Sequence, residues 1–409
     1  MRQLTALPSR QYETAYHLEE GFFHKLIVTL EQSNMGPPAL SLAAAAIVDG
    51  LTALIAGPPV AAAVVVGQSA DALILHRLAR SGISFGPLKI QWLVLALGRT
   101  AVAALLSFGL RLLGVKPRTS SLDVWLGLAA QVAGMLLVLR GYHAEPARLN
   151  VGTIELAVPA LKPGTAVRLL HVADVHVERY GVRERALVEL ARAAKPDAIL
   201  FSGDFLNLSY VRDARALQDA RQLWQTLCTL APVYAVTGSP PVDPPDIVAR
   251  LLSGLPVRWL RDESELLVLQ RNRIRIVGLT CTHNPVADGD TLRRVMASTA
   301  NAAGADAAFT VLLYHAPDLA PQASRLGSID LHLAGHTHGG QVRLPGYGAL
   351  VTASLYYKSL EMGLYQLADM LLFVSRGVGL EGKGAPRVRF NCPPEIKLFV
   401  LSGPERDKP

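Results

Sequence analysis

Hydrophobic positions along this chain follow two regimes. Between about residues 37 and 142 they run almost without interruption, in apolar stretches at 38–56, 58–75, 91–113 and 122–139. Each approaches the ~20 residues a helix needs to cross the ~30 Å hydrocarbon core of a bilayer. Gly57-Pro58-Pro59 breaks the chain between the first two, which are short enough to form a re-entrant hairpin. The last two are expected to span. The segment 37–142 thus predicts a transmembrane helical region of two to four spans. Before it, residues 1–36 form a polar tail in which Phe22, Phe23, Leu26, Ile27 and Leu30 recur at helical spacing, the pattern of a helix lying along an interface.

After Pro146 the pattern changes to short β-rich runs alternating with amphipathic segments, as expected of an α/β layered domain. A linker and first strand occupy 143–165, the domain 166–403, and a short tail 404–409. Predicted strands are Val167–Ala173, Ala198–Ser202, Val233–Thr237, Ile274–Leu279, Thr310–Tyr314 and Leu331–Ala334, with helices over Arg183–Ala194 and Ala214–Leu230.

Composition sharpens this division. Half of the residues are hydrophobic and only 18% are charged, and charges are sparse between Pro37 and Leu139. Mean hydropathy is +0.29, the balance of a membrane region joined to a water-soluble domain. The formal charge of +7 suits an anionic membrane surface or substrate. Nucleic acid is not expected, since no basic cluster carries the aromatic residues that stack bases. The first apolar run begins far from the N-terminus and lacks a small-residue cleavage pattern, so a signal peptide is not expected. With two or four spans, Arg2, Arg10, Lys25, Arg77, Arg80, Lys89, Arg140 and Arg148 share one side, against Lys116 and Arg118 on the other. The richer side should be cytoplasmic, and the domain after 143 follows it; three spans would undo the assignment. Asp49, Asp71 and Arg99 lie in or near the apolar stretches, where they either form a functional polar pair or lipid-head contact, or snorkel or pair merely to hold the bundle. The cysteines Cys228, Cys281 and Cys392 are widely spaced, as small apolar side chains rather than metal ligands or disulfide partners.

The chemistry sits at strand ends. Asp174-Val175-His176, Gly203-Asp204, His315 and Gly335-His336-Thr337-His338-Gly339-Gly340-Gln341 each follow an apolar strand. Singly they say little: an Asp-x-His recurs by chance, Gly-Asp is an ordinary turn, and one His suits a core. Two histidines in a glycine-rich loop have little structural purpose, and the four pieces in this order make a pattern. Side chains beyond the carboxyl ends of parallel strands converge at a sheet edge, where α/β folds bind ligands. Asp and His suit Mn²⁺, Fe or Zn²⁺ better than Ca²⁺. A carboxylate bridging two ions ~3.5–4 Å apart lets them share a water and a phosphoryl oxygen.

These motifs resemble the calcineurin-like metallophosphoesterases from about residue 165 onward. Within that group the chain is most similar to a membrane-associated branch that includes UDP-2,3-diacylglucosamine hydrolase-like proteins, on the GHTHGGQ run, Ser375-Arg376-Gly377-Val378-Gly379 and the late Cys392–Ile396. The resemblance implies a four-layer α/β/β/α sandwich behind the transmembrane region, and two divalent ions. Asp174, His176, Asp204 and His338 would hold the first ion, and Asp204, His315 and His336 the second, with Asp204 and His338 also in the catalytic machinery. It also implies a multi-pass membrane enzyme that hydrolyses a phosphodiester or pyrophosphate, with the bilayer and a phosphorylated, lipid-linked, UDP-diacylglucosamine-like substrate as its partners.

One block departs from the family. Where the group carries Gly-Asn-His-Asp or Gly-Asn-His-Glu, this chain has Gly238-Ser239-Pro240-Pro241. Ser239 stands at the Asn position as a poorer ligand. Pro240 stands at the acid position and has no proton to donate. A general acid is worth roughly 10²–10⁴-fold. Asp243, Asn207 or His283 could fill the gap, and Arg376 could bind phosphate or form an ion pair. Two readings follow: a membrane-tethered phosphoesterase with a weakened second site, or a non-catalytic relative that binds metal and an anionic head group.

Overall fold

The computed structural model describes residues 2–3, 38–80, 88–114, 121–300, 309–381 and 387–405. The interfacial helix expected within 1–36, and Lys116 and Arg118, lie outside the described residues. The chain divides into a helical unit that ends at Glu145 and a larger unit that holds Pro146–Glu381 and the chain from Arg389 onward.

The helical unit contains α1 (Pro38–Ala56), α2 (Pro58–Arg80), α3 (Leu88–Leu112) and α4 (Ser121–Leu139). Proline opens α1 and α2, where its missing N–H costs nothing, and Gly57 turns the chain between them at φ +89°. The stretch read as 58–75 continues to Arg80, so α2 has 23 residues rather than the length of a short hairpin arm. Pro58–Arg80, Leu88–Leu112 and Val124–Ala144 are long and apolar enough to cross a membrane. Their polar groups turn inward. Arg99 donates two 2.6 Å hydrogen bonds to Asp71 and bonds the carbonyl and side chain of Gln131 at 2.8 and 3.0 Å. Gln68 donates to Asp49 at 2.8 Å. Gly67 and Gly134 make room for the guanidinium, because a Cβ on either would lie within 3.0 Å of it. Leu105, Phe108, Leu112 and Leu136 face outward. Of the three charges named from sequence, Asp71 and Arg99 are buried and Asp49 half-buried, and their bonds tie helices together.

The larger unit holds, in chain order, β1 (Asn150–Ala157), β2 (Ala166–Val172), α5 (Val182–Ala194), β3 (Ala198–Phe201), α6 (Ala214–Cys228), β4 (Val233–Ala235), α7 (Pro245–Leu252) and β5 (Val257–Trp259). Then come β6 (Glu263–Leu269), β7 (Asn272–Gly278), α8 (Pro285–Ala300), β8 (Phe309–Leu313), α9 (Ala320–Arg325), β9 (Leu331–Ala334), β10 (Gly363–Leu367), β11 (Met370–Val374) and β12 (Glu395–Ser402). One sheet runs β1-β12-β2-β3-β4-β5; the other runs β10-β11-β9-β8-β7-β6, with Arg2–Gln3 beside β10. Strands β2 to β5 are mutually parallel, as are β7, β8, β9 and β11.

Period-two alternation explains the layering. On β3, Ala198 and Leu200 face Leu169, Ile274, Val311, Leu333 and Phe399 in a core between the sheets. Ile199 and Phe201 face the other way, against Trp224 and Leu223 of α6 and Val188 of α5. On the far side Leu292 of α8 and Ala320 and Ala323 of α9 cover Val277, Leu312 and Leu372. Strands buried on both faces read as continuous apolar runs, so β3, β8 and β9 stand out in the sequence.

Candidate metal centre

The parallel strands of both sheets end at one place. From the first sheet come Asp174 and His176 after β2, Asp204 after β3 and Ser239 after β4. From the second come His283 after β7, His315 after β8, and His336 and His338 after β9. The single sheet edge expected from sequence is therefore replaced by a seam between two sheets. Face-to-face packing is what brings their strand ends together.

Asp174, His176, Asp204 and His338 form one group of side chains that could hold an ion, with ligand atoms all within 4.8 Å of one another; His283, His315 and His336 form a second. One oxygen joins the groups: Asp204 Oδ2 lies 3.4 Å from His176 Nε2 and 3.3 Å from His315 Nε2. On the first side His176 Nε2 and His338 Nε2 approach to 3.0 Å. On the second, His336 Nδ1 and His315 Nε2 are 3.2 Å apart, and Ser239 Oγ lies 3.2 and 3.4 Å from these two nitrogens. Two imidazole nitrogens at such distances lack a good hydrogen bond unless one is protonated, and a shared cation satisfies both. Asp174 Oδ2, His336 Nε2 and His338 Nδ1 are buried with no hydrogen-bond partner among the described residues. These donors fit divalent ions that accept mixed nitrogen and oxygen ligands.

The rest of each side chain is fixed. His176 Nδ1 lies 3.0 Å from Glu381 Oε2 and 3.3 Å from the Leu206 carbonyl, and His315 Nδ1 donates to the Ser202 carbonyl at 2.9 Å, which turns Nε2 of each ring toward the centre. The backbone N–H of His336 donates to Asp174 Oδ1 at 2.8 Å, and that of Ser239 to Asp204 Oδ1 at 2.7 Å. Asp174, His176, Asp204, His283, His336 and His338 all have φ between +46° and +69°. Non-glycine residues held there cost ~1–3 kcal/mol each, a strain that gathers at functional sites.

Burial and neighbouring charge set the ionisation. Burial raises Asp174 to about 6, with His315 opposing. Burial also disfavours the Asp204 carboxylate, but His315 and His176 outweigh it and hold the group below the usual carboxylate range. Burial opposes charge on His176 and His315, yet Glu381 and Asp204 lift the first to about 9, and Asp204 and Asp174 lift the second to about 9. Burial drives His336 and His338 well down, aided by His283 and His176 respectively.

Of the residues offered for the gap, His283 reaches the site. Asp243 accepts the backbone N–H groups of Asp204, Phe205 and Gly238 at 2.7 to 3.0 Å and shapes the loops. Asn207 caps a short turn and donates to the Leu380 carbonyl. Ser239 is buried and Pro240 exposed. Arg376 pairs with Glu395 at 2.8 Å. The segment Ser375–Gly379 braces a ligand: Val378 and Gly379 donate to the carbonyls of Ala173 and Asp174. A Cβ on Gly377 would come within 2.7 Å of Asp174. Buried Arg389 ties that segment through the carbonyls of Arg376, Gly377, Gly379 and Cys392. Cys392 Sγ lies 3.3 Å from the His338 carbonyl. The sequence offers His283 only as one of three residues for the gap, because a lone His between Thr282 and Asn284 carries no motif; its position behind β7 was the available signal.

No family model matches the chain. It is similar to an uncharacterized metallophosphoesterase, YkuE, of Bacillus subtilis (strain 168): 27% identical over 66% of this chain and 93% of the relative. It is also similar to the phosphodiesterase YaeI of Escherichia coli (strain K12): 26% identical over 57% of this chain and 82% of that one. Among solved structures, a dimetal phosphatase from Danio rerio aligns over 52% of this chain and 88% of its own, at 15% identity and TM-score 0.31. The two relatives, with the buried Asp/His cluster, support a metal-dependent phosphoester hydrolase.

Proposed function

We propose that the chain is a membrane-anchored phosphoesterase that hydrolyses a phosphodiester or pyrophosphate bond of a lipid-linked substrate with two divalent ions. The observation that carries this is Asp204 Oδ2, within 3.4 Å of a histidine nitrogen from each group. Asp174, His176, Asp204 and His338 would hold one ion, and Asp204, His315 and His336 the other. Bound there, the ions supply an activated water and neutralise charge on the phosphoryl group. The protein contributes rigidity: Glu381 and the Ser202 carbonyl fix the ring faces of His176 and His315, and the Ser239 N–H holds Asp204 with Oδ2 turned toward both rings. No side chain at Pro240 can protonate a leaving group, which favours substrates with good leaving groups such as pyrophosphates.

Inward polar groups and an apolar exterior support insertion of the helical unit. With α1 counted, its 19 residues reach roughly 30 Å. Four spans leave the phosphoesterase unit on the cytoplasmic, Lys/Arg-rich side. The exposed Pro240 favours a second reading, a relative that binds metal and an anionic head group without turnover.

Purified full-length protein with Mn²⁺ or Zn²⁺ should hydrolyse bis(p-nitrophenyl) phosphate or a lipid-linked pyrophosphate, and S239N/P240H should raise the rate at least ~10-fold by restoring an acid. If neither protein turns over any of these substrates, the non-catalytic reading stands instead.

A further inference from the structure

Ser239 Oγ shares the second cluster with His315 Nε2 and His336 Nδ1, at 3.2 and 3.4 Å. A neutral hydroxyl is a weak donor to a divalent ion, so that site is short of one strong ligand. His283 enters the same cluster from a different strand. Its ligand nitrogen lies within 4.8 Å of those of His315 and His336, and its ring centroid is 4.7 Å from that of His336. Its Nε2 is buried and has no hydrogen-bond partner among the described residues.

The loop that presents this ring is fixed by hydrogen bonds to Asp288. Thr282 donates to Asp288 from its backbone N–H at 3.0 Å and from its hydroxyl at 2.7 Å. Tyr314, the residue before His315, donates to the same carboxylate at 2.6 Å. Asp288 at the start of α8 thus sets the positions of His283 and His315 together. The backbone of His283 sits at φ +60°, a conformation that glycine adopts freely and histidine does not. A side chain kept there against its backbone preference, with a buried unpaired nitrogen, points to a ligand.

We infer that His283 ligates the second ion in place of the side-chain amide that Ser239 lacks. The second site is then His283, His315, His336 and the Asp204 carboxylate, a nitrogen-rich set that selects Zn²⁺ over Mg²⁺ or Mn²⁺. The inference rests on the two-ion reading above.

The test uses the full chain in detergent, stripped of metal with chelator and titrated with Zn²⁺, Mn²⁺ or Mg²⁺; bound ions are counted by mass spectrometry and affinities taken from calorimetry. Wild type should bind two Zn²⁺. H283G relieves the left-handed backbone while removing the ring, and should keep the first ion and weaken the second at least ~10-fold. H283G/S239N should regain the second ion with Mn²⁺ now favoured relative to wild type, and zinc-edge X-ray absorption should show fewer imidazoles per zinc in H283G. Metal-free H283G should melt as one cooperative transition; if it does not, H283N, which tolerates the left-handed backbone, replaces it, with loss of Zn²⁺-over-Mn²⁺ preference as the readout. A variant that binds two Zn²⁺ with wild-type affinity and preference overturns the His283 assignment alone. Wild type that binds fewer than two ions overturns the two-ion reading as well.

Discussion

At the scale of single residues, Asp204 has two oxygens with separate tasks. Oδ1 accepts the Ser239 N–H at 2.7 Å, which leaves Oδ2 to face both histidine clusters. Replacement by Asn keeps the volume and the bond from Ser239 but removes the charge and one acceptor oxygen. D204N is expected to bind neither ion tightly, while C228S, at a half-buried site remote from the ligands, should bind as wild type; metal content after dialysis decides. Asp318 is a second case. Burial raises it from the ordinary 3.8 to about 6, with bonds from Ser354 Oγ and the Leu355 N–H opposing. The folded state then holds this proton more tightly than the unfolded chain. Stability from this residue is full below about pH 4 and is lost as pH rises through about 6. Holding the proton up to about pH 6 instead of 3.8 corresponds to ~3 kcal/mol. D318N retains an acceptor for both bonds, so its melting temperature relative to wild type should rise across that interval. A constant difference would show that Asp318 does not titrate there.

At the scale of elements, the strand ends were legible because an apolar run followed by Asp or His is visible without any tertiary knowledge. The ligands after β2, β3, β8 and β9 were named on that basis. His283 was only one of three candidates for the gap, since its loop has no glycine-flanked signature and its place in the cluster depends on Tyr314, His315 and His336, distant in the chain. The Ser375–Gly379 segment was legible as a motif but not as a device, because its contacts with Asp174 cross from one sheet to the other. Gly377 has φ +69° and no room for a Cβ beside Asp174. G377A should therefore weaken ion binding as well as stability. The control is G346A, at φ +74° with nothing within 4 Å of its Cβ, which should cost only ~1 kcal/mol and leave metal affinity unchanged. Equal metal affinities in the two variants would show that the brace on Asp174 is not needed.

At the scale of the whole molecule, the helical unit depends on a buried ion pair and the phosphoesterase unit on three apolar layers of contact. Removing one member of a buried pair leaves the other uncompensated, at a cost of ~3–5 kcal/mol. R99M should destabilise the helical unit in detergent by that order, and D71L/R99M should recover most of it. If the single and double variants melt alike, Asp71 and Arg99 are not coupled. If the helical unit crosses the membrane four times as proposed, the C-terminal unit lies on the Lys/Arg-rich side, and a reporter fused after Pro409 should be active only in its cytoplasmic form.

The sequence by itself determined the two hydrophobic regimes, the alternation of strands and helices after Pro146, and the Asp and His positions at strand ends, because each is a local pattern of polarity. Tertiary structure alone decided that the ligands come from two sheets, that Arg376 pairs with Glu395, and that His283 enters the cluster. These depend on which strand ends packing brings together, and no local pattern of residues records that.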